Sequence, residues 1–406
     1  MRVPASGAVI GLAEKKAMHD AVDAGWLTAG PINAAFEAKL SAFTGIRHVR
    51  TCNSGSSANL LAVAAMVASG RWKAGDEIIT SAVGFPTTVN PLLLYGLVPV
   101  FVDVELGTYN PTMFKIEAAI TAKTTGLMMA HTLGNSFAPA INCKLETKGI
   151  YVVEDCCDAL GSMHHLKSDF GKNNHHCHVG VGAAIATFSF FPAHHITTGE
   201  GGAVMTQDAD LLRHIEALRD WGRDCWCAPG QNNTCGKRFD QQFGELPYGF
   251  DHKYCFSHAG FNLKITEIQA ACGIAQFDRL SGFIEKRCSN FDYLYKRLSE
   301  GKAEDSFILP RFSKGVSPFG FPITIKKEGE RLALTSYLAE KGIDTRLIFG
   351  GNLTKQPYMK GRNFRIAEPL INADKVMNDT FWIGVWPGLS EDDLAYACDT
   401  IEEFFA

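Results

Sequence analysis

Phe188-Ser189-Phe190-Phe191-Pro192-Ala193-His194-His195-Ile196-Thr197-Thr198-Gly199-Glu200-Gly201-Gly202 opens as a strand and runs into a glycine-rich turn. A strand ending in small, polar and imidazole-bearing residues offers them at the carboxyl edge of a sheet, where open α/β sheets bind their ligands. Similar apolar runs precede it: Glu77-Ile78-Ile79-Thr80, Val98-Pro99-Val100-Phe101-Val102, Gly126-Leu127-Met128-Met129-Ala130 and Tyr151-Val152-Val153-Glu154. Helical patterns separate these runs, so the first half of the chain reads as βα units around a mainly parallel sheet.

The chain has 406 residues, 46% of them hydrophobic, enough for one large core and a smaller one. Its 39 basic and 43 acidic residues give a formal net charge of −4 without long single-sign runs. That balance offers no electrostatic case for nucleic acid or a membrane surface as partner. The start, Met1-Arg2-Val3-Pro4-Ala5-Ser6-Gly7, lacks the features of a secretory signal and reads as abrupt, with residues expected upstream. The longest apolar run, Leu60 to Ala68, is too short to cross a bilayer. A cytoplasmic location is expected, and there the 12 cysteines are thiols or metal ligands rather than disulfides.

Two further stretches point to a ligand at the carboxyl edge. Asn53-Ser54-Gly55-Ser56-Ser57-Ala58-Asn59 follows a strand-like run and opens an apolar helix, which makes an anion cradle of free amides and hydroxyls. Glu154-Asp155 closes the run from Tyr151, placing a carboxylate where the protonated nitrogen of a pyridine cofactor needs an acidic partner. From Trp221 to Gly249 the chain is rich in Gly and Asn, has neither helical nor strand period, and reads as a functional loop. Helical spacing returns from Ile265 to Leu298, with a strand near Phe321 to Ile325 and helices near Glu330 to Lys341 and Glu391 to Phe405. We therefore expect a large cofactor domain over residues 1–262, including loop 221–249, and a linking helix with a smaller domain over residues 263–406.

Together with Gly84-Phe85-Pro86-Thr87-Thr88 and Gly260-Phe261-Asn262-Leu263-Lys264 ahead of Gln269-Ala270-Ala271, these motifs resemble, in order, the nucleotide-sugar aminotransferase family of pyridoxal-phosphate enzymes. The resemblance spans nearly the whole chain. It implies an α/β fold of type I, a homodimer with shared active sites, and a cofactor phosphate held by Gly55, Ser56 and Ser189. It further implies that Asp155 pairs with the pyridine nitrogen, Phe85 stacks on the ring, Asp158 lies near the ring hydroxyl, and Asn262 reaches the phosphate of the neighbouring subunit.

The family's Schiff-base lysine stands five residues after the serine of Ser-Phe-x-Pro, and here that position is His194. Imidazole forms no stable imine with an aldehyde but serves as a base near neutral pH. This exchange resembles the 3-dehydratases of 3,6-dideoxysugar and O-antigen lipopolysaccharide biosynthesis. The resemblance implies pyridoxamine 5′-phosphate as cofactor, a nucleotide-linked 4-keto-6-deoxyhexose as substrate, His194 as catalytic base and loss of the C3 hydroxyl.

Cys225-Trp226-Cys227 with Cys235 lies in the irregular loop, where thiolates can converge on iron without breaking a helix or strand. With its flanks Trp221-Gly222-Arg223-Asp224 and Gly236-Lys237-Arg238-Phe239, the loop resembles the cluster-bearing branch of these dehydratases, which acts on CDP-4-keto-6-deoxy-D-glucose. That likeness implies a 2Fe-2S cluster on Cys157, Cys225, Cys227 and Cys235. Cys156 and Cys177 remain alternatives for the fourth ligand, because the chain is longer than the family pattern between His164 and His178. That His-rich stretch reads as a solvated insertion, with metal binding as its alternative. No G-x-G-x-x-G unit is present to hold NAD, so electrons for the cluster would come from an NADH-dependent iron–sulfur or flavin reductase. The rival readings are a cluster-free dehydratase using glutamate, an aminotransferase using another lysine such as Lys264, and a homologue without activity.

Overall fold

The computed structural model describes residues 2–137, 141–166 and 175–406. Its strands, in chain order, are β1 (His48–Cys52), β2 (Glu77–Ser81), β3 (Val98–Val102), β4 (Thr124–Ala130), β5 (Tyr151–Asp155), β6 (Met163–Leu166), β7 (His175–His178), β8 (Ile185–Ser189), β9 (Gly202–Thr206), β10 (Phe307–Ile308), β11 (Gly320–Ile325), β12 (Arg365–Ile366) and β13 (Thr380–Gly384). Eight of them form one sheet in the order β1-β9-β8-β5-β4-β2-β3-β12. All its neighbours run parallel except β9, which is antiparallel to both β1 and β8. The five apolar runs singled out in the sequence are β2, β3, β4, β5 and β8.

Helices cover the sheet, which is why β2 is buried at every position. Gly126 in β4 shows how tightly that cover packs. A Cβ there would stand 2.5 Å from the indole of the fully buried Trp72. Behind β1, the helix Gly55–Ala68 is nearly all apolar, and Leu61, Ala62, Val63, Ala64, Ala65 and Met66 join one core with Met128, Val153 and Val204. With both faces sealed, only the carboxyl edge of the parallel strands is open to a ligand.

The smaller core surrounds the three-stranded sheet β10-β11-β13 and draws in Val3 from the start of the chain. The expected helical stretch 265–298 is two helices, Glu267–Phe277 and Leu280–Ser299. They part at Asp278-Arg279, where the side chains of Gln276 and Arg279 turn to the buried Glu14 at 2.8 and 3.0 Å. No helix among the described residues is long and apolar enough to cross a membrane.

Candidate active site

Three chain segments meet at the carboxyl ends of β1, β5 and β8. Ser54 caps the helix Gly55–Ala68, its hydroxyl accepting the Ser57 amide at 3.0 Å, which leaves the amides of Gly55 and Ser56 pointing out of the first turn. Ser56 is exposed and Gly55 buried. A Cβ on Gly55 would stand 2.5 Å from Ser189 Cβ, 2.8 Å from its Oγ and 3.1 Å from Cys157 Sγ. Gly55, Ser189 and Cys157 therefore share one cradle, and only glycine leaves it open.

Asp155 ends β5 beside that cradle and is 4% exposed. Its Oδ2 accepts Asn59 Nδ2 at 2.8 Å and Thr88 Oγ1 at 2.7 Å, and its Oδ1 accepts the Cys157 amide at 3.1 Å. Asn59 is itself fixed by Thr187 Oγ1, which donates to Asn59 Oδ1 at 2.6 Å. A buried carboxylate with this many donors is held in one orientation. Thr88 follows Phe85, the exposed residue that caps the next helix.

Because successive strand residues face opposite sides, Glu154 points away from Asp155. It is fully buried and accepts His131 Nε2 at 2.9 Å, Asn142 Nδ2 and the Gly180 amide at 2.6 Å. Burial alone would raise its pKa, but the donors outweigh burial and hold it well below the usual range. The acidic pair thus divides: Asp155 faces the cradle and Glu154 the interior behind it.

His194 ends the turn after β8, its amide donating to Phe191 O at 2.9 Å. Its Nδ1 lies 3.4 Å from Asp158 Oδ1, an ion-pair distance, while Asp158 Oδ2 is buried without a partner. Burial raises the Asp158 pKa and His194 works against that rise. The backbone of the turn is clamped by Arg287, which donates to the carbonyls of Ala193, His194 and Phe319 at 3.2, 3.1 and 3.1 Å. Burial lowers the Arg287 pKa to about 10. The neighbouring His195 points elsewhere, with Nε2 3.1 Å from Ser317 O.

The structure thus gathers Gly55, Ser189, Asp155 and Cys157 in one place, with Asp158 and His194 paired. Asn262 is exposed, next to Leu263, whose carbonyl accepts the Asn53 amide at 2.8 Å. Lys264, the rival lysine, is ion-paired with Asp220 and lies 3.8 Å over the Trp221 ring. Asn59, Thr88 and Arg287 were missed by the sequence reading. Arg287 had a signal, since it stands between Phe283 and Phe291 on the buried stripe of its helix.

Loop 221–249 contains neither helix nor strand. Within it Cys225 and Cys227 adjoin each other, and Cys235 Sγ faces His252 Nδ1 at 3.6 Å. Burial would raise the Cys227 thiol, but its contact with Thr234, whose amide donates to Sγ at 3.3 Å, pulls it below the ordinary value. Burial holds the Cys157 thiol well above it. Among the described residues no three of Cys157, Cys225, Cys227 and Cys235 have sulfurs within 4.8 Å of one another. At the described ends of the insertion after His164, His164 and His178 are both 3% exposed while His176 is exposed. Residues 167–174 of that stretch lie outside the described residues.

Comparison with known proteins gives the family and the fold. The model of the DegT/DnrJ/EryC1/StrS aminotransferase family matches residues 9–402. The chain is 50% identical to the lipopolysaccharide biosynthesis protein RfbH of Salmonella typhimurium, over 99% of this chain and 92% of that protein. It is 45% identical to the dTDP-4-dehydro-2,6-dideoxy-D-glucose 3-dehydratase of Saccharopolyspora spinosa, over 99% and 86%. The structure of the E. coli GDP-4-keto-6-deoxy-D-mannose-3-dehydratase with bound hydrated PLP superposes with a TM-score of 0.85 at 28% identity, covering 99% of both chains. The architecture is that of the fold-type I enzymes, as the sequence led us to expect, and the chain belongs to the DegT/DnrJ/EryC1/StrS aminotransferase family.

Proposed function

We propose that this protein is a nucleotide-sugar 3-dehydratase that binds pyridoxamine 5′-phosphate without a covalent bond and uses His194 as its base. The observation that carries the reading is the pairing of His194 with Asp158, at the family's lysine position near the cradle of Gly55, Ser189 and Asp155. The residues fit the cofactor: the cradle at Gly55 is open only because a Cβ is missing, and Asp158 Oδ2 is buried and unpartnered beside it. When bound, pyridoxamine phosphate supplies an amine that condenses with a ketone and a pyridine ring that accepts electrons.

This chain's residues do the rest. The amides of Gly55 and Ser56 and the hydroxyl of Ser189 hold the phosphate, using the partial positive charge of the helix N-terminus. Asp155, fixed by Asn59 and Thr88, keeps the ring nitrogen protonated. Phe85 covers the ring, and Asn262 reaches the phosphate of the partner subunit in a homodimer. His194 takes and returns the proton, while Asp158 orients its ring and supports the imidazolium formed. Arg287 keeps the turn in place. An imidazole here cannot form the covalent link a lysine forms, so the chemistry shifts from amine transfer to loss of the C3 hydroxyl. The relatedness to two proteins of deoxysugar and lipopolysaccharide synthesis supports a nucleotide-linked 4-keto-6-deoxyhexose as substrate, and the loop likeness supports CDP-4-keto-6-deoxy-D-glucose.

The same proposal includes a 2Fe-2S cluster on Cys225, Cys227 and Cys235 with Cys157 as fourth ligand, refilled by an NADH-dependent reductase. The lowered Cys227 thiol and the freedom of the loop support it. Cys157 does not join the loop cysteines in this conformation, so the ligand set fits only in part and we derive no step through the cluster. Cys156 is disfavoured as a substitute because it faces the Glu154 side of β5.

The test is borohydride reduction in the presence of pyridoxal phosphate, followed by peptide mapping. The proposal expects no modified residue in the peptide spanning Phe188–Gly202 and none at Lys264. A reduced cofactor adduct on any lysine at the site overturns it.

A further inference from the structure

We propose that His131, Glu154, Cys156 and His164 form a structural zinc site behind β5, on the opposite side from Asp155 and independent of the cofactor reading. One ligand atom from each of His131, Glu154 and Cys156 lies within 4.8 Å of the other two, and all three side chains are completely buried. The second observation is His164. It is 3% exposed, has both ring nitrogens without a hydrogen-bond partner, and stands with Nε2 3.7 Å from Glu154 Oε2. A buried imidazole with nothing to bond on either nitrogen costs free energy unless something else fills the gap.

Two of the three distances to Glu154 Oε2 suit a tetrahedral ion. With bonds of roughly 2.0 Å to nitrogen or oxygen and 2.3 Å to sulfur, the ligand atoms of zinc stand about 3.3–3.7 Å apart. Glu154 Oε2 is 3.7 Å from His164 and 4.0 Å from Cys156 Sγ, long for hydrogen bonds but near that spacing, whereas His131 Nε2 at 2.9 Å is hydrogen-bonded to it and must move apart to admit the ion. His164 lies beside the trio rather than within it, its ring 5.6 Å from that of His131, so a side-chain rotation completes the set.

Charge decides which ion such a pocket accepts. One carboxylate and one thiolate neutralise a divalent cation, leaving no net charge in a closed site. Zinc takes imidazole, carboxylate and thiolate donors alike, and a closed four-ligand set leaves no solvent position for catalysis. Binding releases the Cys156 thiol proton to solvent, and His131 moves its own proton from Nε2 to Nδ1. The second step gives up the 3.4 Å contact with the Phe137 amide and the Nε2 hydrogen bond to Glu154, which the bonds to the ion replace. The ion would tie together β5, the turn after β4 and the first strand of the insertion, which carries His164.

Because the site is closed, metal must enter during folding. The test is expression of the full chain in cobalt-supplemented medium, with Cys225, Cys227 and Cys235 replaced by serine so that loop thiols cannot bind the probe. We expect one cobalt per chain with a thiolate-to-cobalt charge-transfer band and tetrahedral visible bands. Cys156→Ser should abolish the charge-transfer band, and His164→Gln should weaken cobalt retention at least tenfold. Cobalt well below one per chain, or a charge-transfer band unchanged by Cys156→Ser, overturns the proposal. Should either variant misfold, zinc-edge X-ray absorption on the folded serine-substituted parent decides: one sulfur with nitrogen and oxygen neighbours supports the site, and a shell without sulfur removes it.

Discussion

Replacing Asp158 by asparagine keeps the shape of the side chain and removes its charge, so it isolates what the carboxylate does for His194. The two groups stand 3.4 Å apart in a nearly closed site. Two unit charges at that separation interact by about 5 kcal/mol at an effective dielectric constant of about 20. The His194 side chain keeps 14% of its surface exposed, so solvent screening reduces the support of an imidazolium to about 2–4 kcal/mol. At 1.36 kcal/mol per decade, Asp158→Asn should slow proton abstraction roughly 30- to 1,000-fold. The assay is steady-state turnover of the nucleotide sugar, with cofactor affinity measured separately by fluorescence quenching. We expect kcat to fall while KM and cofactor affinity change little. A kcat within twofold of the parent refutes the orienting role. A fall confined to cofactor affinity would instead assign Asp158 to the ring hydroxyl.

Other consequences follow from the same geometry. Gly55→Ala places a methyl group 2.5 Å from Ser189 Cβ, so phosphate binding should weaken about tenfold or more in a titration with pyridoxamine phosphate, while the melting temperature shifts little. Cys225→Ser, Cys227→Ser or Cys235→Ser should remove most bound iron from anaerobically purified protein, as read by iron and sulfide analysis. Full iron in Cys157→Ser would show that the fourth ligand lies elsewhere. Burial lowers the His178 pKa from 6.5 to about 4, while its Nε2 accepts the Gly161 amide and its Nδ1 donates to Val179 O. The unfolded chain binds that proton first, so stability should decline as pH falls from 6.5 towards 4, by about 3 kcal/mol from this residue. Denaturant titrations across that window should show a slope that His178→Gln reduces.

Much of the fold was legible because the parallel strands are buried on both faces. Val98–Val102 is an unbroken apolar run and Tyr151-Val152-Val153 a shorter one closed by Glu154-Asp155, and their limits in the sequence agree with the strands to within about two residues. The cradle was legible for a different reason: capping and close approach restrict Ser54 and Gly55 to few residue types. What the sequence could not show is which way side chains turn once the backbone leaves a strand. Cys156 and Cys157 are adjacent, yet one lies beside Glu154 and the other beside Gly55. The pairing of Asp158 with His194 joins positions far apart in sequence, and no periodic signal marks it. In the His-rich insertion, composition alone does not tell the buried His164 and His178 from the exposed His176.

The central claim is that this site removes an oxygen from a sugar rather than adding a nitrogen, and the mass of the product tests it most directly. The protein loaded with pyridoxamine phosphate should be incubated with CDP-4-keto-6-deoxy-D-glucose, an iron–sulfur flavin reductase and NADH, in parallel with L-glutamate alone. The account predicts a sugar nucleotide lighter than the substrate by one oxygen atom, formed with reductase and NADH and lost in His194→Asn. A product that keeps its C3 oxygen and gains an amino group would contradict it.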